Sequence, residues 1–209
     1  MQILRRLPPL ILLLPLTLCS CQWTSEMLGL DEGPGEPEAA GDEAGKEASP
    51  REPGEGHRFL ARLDGRFAAE GTIWPEGATR STAWSGVCRN WLVLGGRFLV
   101  REQEATSSGL GSMESLSLLG FDNSIGKYVE TGCDTFSTSL RPTSRGKLDP
   151  SGDQLHLVST TEDPDSGQLI VIREVWTVVS TNEYRSERFE KRPGQKERRV
   201  SEVVYRRTE

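Results

Sequence analysis

Long apolar runs are scarce in this 209-residue chain, and so are the residues on which most enzymes depend. There are two histidines, His57 and His156, and four cysteines. No HExxH, GxSxG, Walker or CxxC pattern occurs, so the common zinc-hydrolase, serine-hydrolase, nucleotide-binding and dithiol chemistries lack their sequence signatures. His57 lies at the edge of a polar leader, and His156 stands alone between Leu155 and Leu157. A lone histidine on a strand is expected to be solvated or hydrogen-bonded rather than a haem ligand. Asp163 and Asp165 flank Pro164 ahead of Gly167, which is turn chemistry before it is calcium chemistry. No metal, cofactor or catalytic group is therefore expected, and the chain is read as a non-enzyme.

The one apolar run near the amino end, Leu10–Leu18, is broken by Pro15 and falls short of the roughly 20 residues that span a bilayer. It follows the basic pair Arg5–Arg6, which together make a secretory signal over residues 1–20. The segment Leu18-Cys19-Ser20-Cys21 resembles the bacterial lipoprotein box. Cys21 is the expected lipid-attachment residue, since Leu18 and Ser20 stand at the required offsets and Cys19 fits worse. A palmitate-bearing, lipid-anchored protein of the bacterial cell envelope, facing the periplasm or exterior, is the expected setting.

Residues 21–56 lack aromatics beyond Trp23 and carry ten acids against two bases. Such a stretch cannot bury enough apolar surface to offset its ordering entropy, so it is expected to be a disordered acidic linker. As a random coil it would span roughly 30 Å. The remaining residues, 57–209, hold 21 acids and 21 bases. A neutral domain of this kind is not expected to bind nucleic acid, which demands a basic surface.

Helical periodicity is confined to one place. Phe59, Leu60 and Leu63 repeat at helix spacing and predict a short helix ended by Asp64-Gly65. Beyond it, turn signals recur at short intervals, among them Pro75-Glu76-Gly77, Gly95-Gly96 and Asp149-Pro150-Ser151-Gly152. The runs between them are rich in Thr, Val, Ile, Leu and aromatics. Short strands joined by tight turns predict an antiparallel meander, closed into a barrel or folded as a sandwich. Gly95-Gly96 predicts a two-residue hairpin turn that sets Trp91 opposite Val100 and Arg89 opposite Glu102. In the longest strand, Ile170, Ile172, Glu174, Trp176 and Val178 share a face.

Five segments, in order, carry a resemblance: Leu94–Phe98, Gly120–Tyr128, Asp134–Thr138, Arg173–Val175 and Val204–Arg206. Together they are similar to an uncharacterised bacterial family, domain of unknown function number fifteen-seventy-nine. The resemblance implies a calycin-like antiparallel β-barrel, and with the turn spacing and the helical repeat the expected fold is an all-β, single antiparallel up-and-down barrel of about nine to ten strands with a short N-terminal helix. It implies no established activity. The family has Trp-x-Asp where this chain has Gly132-Cys133-Asp134, so the cavity is expected to be reshaped there. A calycin-like interior could hold a small hydrophobic ligand, and the candidate lining residues are Trp91, Phe98, Glu102, Tyr128, Glu174, Trp176 and Tyr205. Arg173 and Arg97 are further polar candidates, Arg97 the weakest, because the face bearing Trp91, Val93, Phe98 and Val100 is taken as the interior and Arg97 then points out. Cys88 and Cys133 fall three strands apart, roughly 14 Å at 4.8 Å per strand, and no disulfide is expected. The alternative to a ligand carrier is an envelope protein–protein interaction module with a filled barrel.

Overall fold

The computed structural model describes residues 51–163 and 166–208. The expected signal, Cys21 and nearly all of the linker, together with Asp165, lie outside the described residues. One helix, α1 (Glu55–Arg62), precedes ten strands. They are β1 (Gly65–Ile73), β2 (Thr82–Val93), β3 (Phe98–Ser107), β4 (Gly111–Asp122) and β5 (Lys127–Asp134), then β6 (Ser144–Leu148), β7 (Gln154–Glu162), β8 (Leu169–Ser180), β9 (Glu183–Lys191) and β10 (Arg198–Arg207). Each strand pairs antiparallel with its sequence neighbours, and β1 pairs with β10 to close the barrel, with Phe67 opposite Arg207. The fold is the expected up-and-down barrel. The helix starts two residues earlier than the linker boundary allowed, because Gly54 acts as its N-cap.

The helix closes one end of the barrel. Its apolar stripe buries Phe59, Leu60 and Leu63, at 3%, 0% and 0% exposure. The ring of Phe59 meets Tyr128 edge-on with centroids 5.7 Å apart, and the Tyr128 hydroxyl donates to the Gly56 carbonyl at 2.7 Å. Asn90 Nδ2 donates to the Leu63 carbonyl at 2.7 Å, satisfying a carbonyl left free at the helix end. His57 is structural: its Nδ1 accepts from the Gly54 amide at 3.0 Å and its ring packs edge-on against Phe121.

The β2–β3 register is as expected, with Arg89 opposite Glu102 and Trp91 opposite Val100. The turn is longer than two residues. The ladder ends at Val93–Phe98, and Leu94, Gly95 and Gly96 all have positive φ. Leu94 therefore adopts a conformation that its Cβ disfavours, and the two glycines allow the chain to continue through it.

The interior face of this hairpin is the opposite of the one expected. Trp84, Cys88, Asn90, Leu99, Gln103, Ala105 and Ser107 are buried, whereas Glu102 and Glu104 are exposed. Trp91, Phe98 and Glu102 thus point outward. Outside, Trp91 lies under the Arg89 guanidinium, 5.1 Å from its ring, and Phe98 covers the bare backbone of Gly120. Aromatic size misled the assignment. Charge was the better guide, because the outer face of β3 carries two carboxylates and burying both would cost far more than leaving two rings half-covered.

Pairing between β5 and β6 is short, covering only Tyr128 to Glu130. Beyond it the connecting loop returns to the wall. The Arg141 amide donates to the Gly132 carbonyl at 2.6 Å, and the Thr131 hydroxyl donates to the Arg141 carbonyl at 3.1 Å. Cys88 points into the barrel and Cys133, on β5, points out, so the wall itself separates the two free thiols.

Candidate functional site

Alternation along the strands sends one side chain in two into the lumen, which is packed at the helix end and open at the other. On the helix side Leu99, Leu119, Leu155, Leu157 and Phe67 form a dry core. Next to it is a polar layer: Cys88 Sγ lies 3.2 Å from Asn90 Oδ1, and Asn90 Nδ2 donates to the Tyr184 hydroxyl at 3.3 Å. Tyr184 stacks on Tyr205, with centroids 4.3 Å apart and planes 9° from parallel.

Beyond these rings the barrel opens into a cavity of about 650 Å³ at the end opposite the helix. Its floor carries Arg101, Gln103, Trp176 and Tyr205, its walls Trp84, Met113, Val203, Glu174 and Arg141, and its mouth Trp74, Glu76, Phe136 and Arg192. The Arg101 guanidinium lies against two ring faces, 5.1 Å from Trp176 and 4.9 Å from Tyr205. Its Nη2 donates to Gln103 Oε1 at 2.7 Å and to the Tyr205 hydroxyl, which in turn donates to Gln103 at 3.1 Å. Burial pushes the Tyr205 phenol up to about 12, against the pull of Arg101, so at neutral pH it is a hydrogen-bond donor.

The wall beside the floor is ionic. Glu174 contacts Arg188 at 3.4 Å and accepts from the Trp176 indole at 3.4 Å. Glu130, 4% exposed, faces Arg141 at 3.7 Å. Desolvation, with Glu174 adding to it, raises the Glu130 carboxyl to about 7 even though Arg141 and Arg101 oppose the shift. A Cβ on Gly132 would fall 2.4 Å from the Arg141 guanidinium. The space beside Gly132 is thus occupied by Arg141, which brings a charge to the cavity wall.

Of the residues expected to line a pocket, Glu174, Trp176 and Tyr205 do so. Tyr128 is interior but sits beneath the helix at the closed end. Trp91, Phe98 and Glu102 are corrected to the outer surface, and Arg97 joins them, donating to the Arg51 carbonyl at 2.7 Å. Arg173 is also outside, paired with Glu197 at 2.6 Å. Sequence reasoning missed Arg101, Trp84, Glu130 and Arg141. The first two share the less charged faces of β3 and β2, so a count of charges per face would have found them; Arg141 reaches the wall from a loop, for which no periodicity exists. Among the described residues no three or more His, Cys, Asp or Glu side chains cluster in a way that could hold a metal.

A family model described as "Protein of unknown function (DUF1579)" matches residues 52–207. No curated protein matches the sequence. Among solved structures, Rv2717c from M. tuberculosis is similar over 75% of this chain and 99% of its own, with a TM-score of 0.57 and 14% identity, a likeness of fold. The structure titled "EF1p2_mFAP2b bound to DFHBI" covers 73% of this chain and 98% of its own, with a TM-score of 0.37 and 11% identity.

Proposed function

The chain belongs to the DUF1579 family, whose function is unknown, and we propose from its own cavity that it is a small-molecule-binding barrel. The observation that carries this reading is the 650 Å³ space open at one end, a volume within the range of ligand pockets. The helix seals the far end, so a ligand enters by the mouth and is held by burial, without covalent chemistry. The cavity differs from the apolar one that a purely hydrophobic ligand would need. Trp84, Trp176, Met113 and Val203 give it an apolar lining, while Arg101, Glu174 and Arg141 give it fixed polar points. The cavity at the open end also departs from the filled barrel that an interaction module would have.

The reading further holds that Cys21 carries a lipid and that the barrel works at the cell envelope. Its support is the Leu18-Cys19-Ser20-Cys21 box and the apolar run before it. Among the described residues no helix is long and apolar enough to cross a membrane. Two measurements test the proposal. Native mass spectrometry of the full chain purified from its own host should show a retained small molecule; a bare polypeptide mass that also takes up no apolar dye would overturn ligand binding. Cys21→Ser should move the protein from the membrane to the soluble fraction, and unchanged partitioning would overturn the anchor.

A further inference from the structure

The cavity floor presents a cation with no anion of its own. Arg101 projects from the middle of β3 into the lumen. Both of its hydrogen bonds to oxygen come from Nη2, and both go to neutral groups, Gln103 and Tyr205. Its Nε is shut off from solvent and has no hydrogen-bond partner. Its other neighbours are two aromatic faces, the Cys88 thiol and the Tyr184 hydroxyl, and it acts on the Glu130 carboxyl only through space. No carboxylate of the described residues lies within salt-bridge distance of it. The two interior carboxylates on this wall are engaged elsewhere, Glu130 with Arg141 and Glu174 with Arg188. Arg101, Arg141 and Arg188 therefore meet Glu130 and Glu174 there, with Arg188 also shared with Glu190 at 3.9 Å, and Arg101 alone of the three makes no ion pair.

A buried guanidinium with an unpaired donor is costly, because desolvation is incompletely offset by neutral partners and ring faces. The guanidinium N–H groups that face the cavity suit a carboxylate, which accepts strong charge-assisted hydrogen bonds. Towards the mouth the sign of charge changes: Glu76, Asp134 and Glu190 line the approach, with Arg192 and Arg198 bound among them. An amphipathic anion is thus favoured with its charge inward and its apolar body against the rings of Trp84 and Trp176.

We propose that Arg101 is the anchor for a carboxylate headgroup, and that the ligand class of this barrel is a small amphipathic carboxylic acid. The inference rests on the ligand-binding reading above and adds the charge of the ligand and the residue that reads it. Tyr205 and Gln103 act as positioning residues, holding the guanidinium by Nη2 and leaving its cavity-facing N–H groups for the ligand.

Two dyes with the same aromatic body separate the two claims: 8-anilinonaphthalene-1-sulfonate, which carries an oxyanion, and N-phenyl-1-naphthylamine, which does not. The full chain should bind the sulfonate at least about tenfold more tightly, the value of one charge-assisted hydrogen bond. Dodecanoate should displace it at least about tenfold more effectively than dodecanol. Arg101→Met should bring the ratio of dye affinities to about one, Arg101→Lys should retain part of it, and Glu102→Gln on the outer face should leave it unchanged. Equal binding of both dyes by the unaltered chain, or equal displacement by acid and alcohol, would overturn the anchor while leaving a binding barrel. Failure of every probe to bind would instead overturn the ligand-binding reading. The comparison between dyes needs no variant, so it stands even if Arg101→Met fails to fold.

Discussion

Replacing Glu130 by glutamine should make the barrel more stable at neutral pH and should remove a specific part of its pH dependence. The carboxyl is 4% exposed, and burial raises it from 4.5 to about 7. Between those two values the folded state holds a proton that the unfolded chain releases. Stability therefore falls as pH rises through this window and levels off above the folded value. A shift of that size is worth about 3 kcal/mol at about 1.4 kcal/mol per unit. His57 works in the other direction: its burial lowers its affinity for a proton, so its contribution rises with pH towards 6.5. That contribution is common to parent and Glu130→Gln and cancels in their difference. Urea unfolding of both proteins at closely spaced pH values supplies the test. The stability of Glu130→Gln relative to the parent should grow by about 3 kcal/mol from about pH 4.5 to about pH 8. Parallel pH curves would refute the reasoning, because they would mean that the carboxylate is as well solvated or as well paired in the fold as in the open chain.

Two further outcomes test the frame that holds the site. Leu60→Ala removes a fully buried side chain from the helix that seals the barrel and should cost about 3 kcal/mol by denaturant unfolding; a change under about 1 kcal/mol would mean that the helix is not part of the cooperative core. Gly146→Ala places a Cβ 1.6 Å from the His156 carbonyl oxygen of the neighbouring strand, so it should lower the urea midpoint by the equivalent of about 3 kcal/mol or prevent folding, whereas an unchanged midpoint would contradict the close approach of β6 and β7.

The architecture was legible because alternation and turn chemistry are local properties. The Trp176 face of β8 was read correctly since Ile170, Ile172 and Val178 repeat on it and leave little choice. The β2–β3 hairpin was harder. Both its faces are mixed, and two large rings lie outside, Trp91 beneath Arg89 and Phe98 over Gly120, while Trp84 lies inside. That single inversion hid Arg101, the most informative side chain of the cavity. Arg141 was hidden for a different reason. Its place opposite Glu130 depends on how the 135–143 loop folds back over Gly132, which is a tertiary fact with no period in the sequence. A change of cavity shape at Gly132 was expected; that a guanidinium would fill the space there was not.

The closure of β1 on β10 has a consequence for how the chain reaches its native state. Every other strand pair joins neighbours along the chain, so the meander can grow hairpin by hairpin at low loop-closure cost. The last seam joins residues such as Glu70 and Arg206, 136 positions apart. Bringing ends so distant together costs about 4 kcal/mol of chain entropy unless the intervening hairpins have already assembled. Folding is thus expected to proceed by ordered zippering with one late, all-or-none event. Until that event both β1 and the growing end of the sheet present open edges, the state in which such sheets are most prone to pair with other chains. The final strand also carries Tyr205, so the cavity floor and the closed wall come into being in the same step.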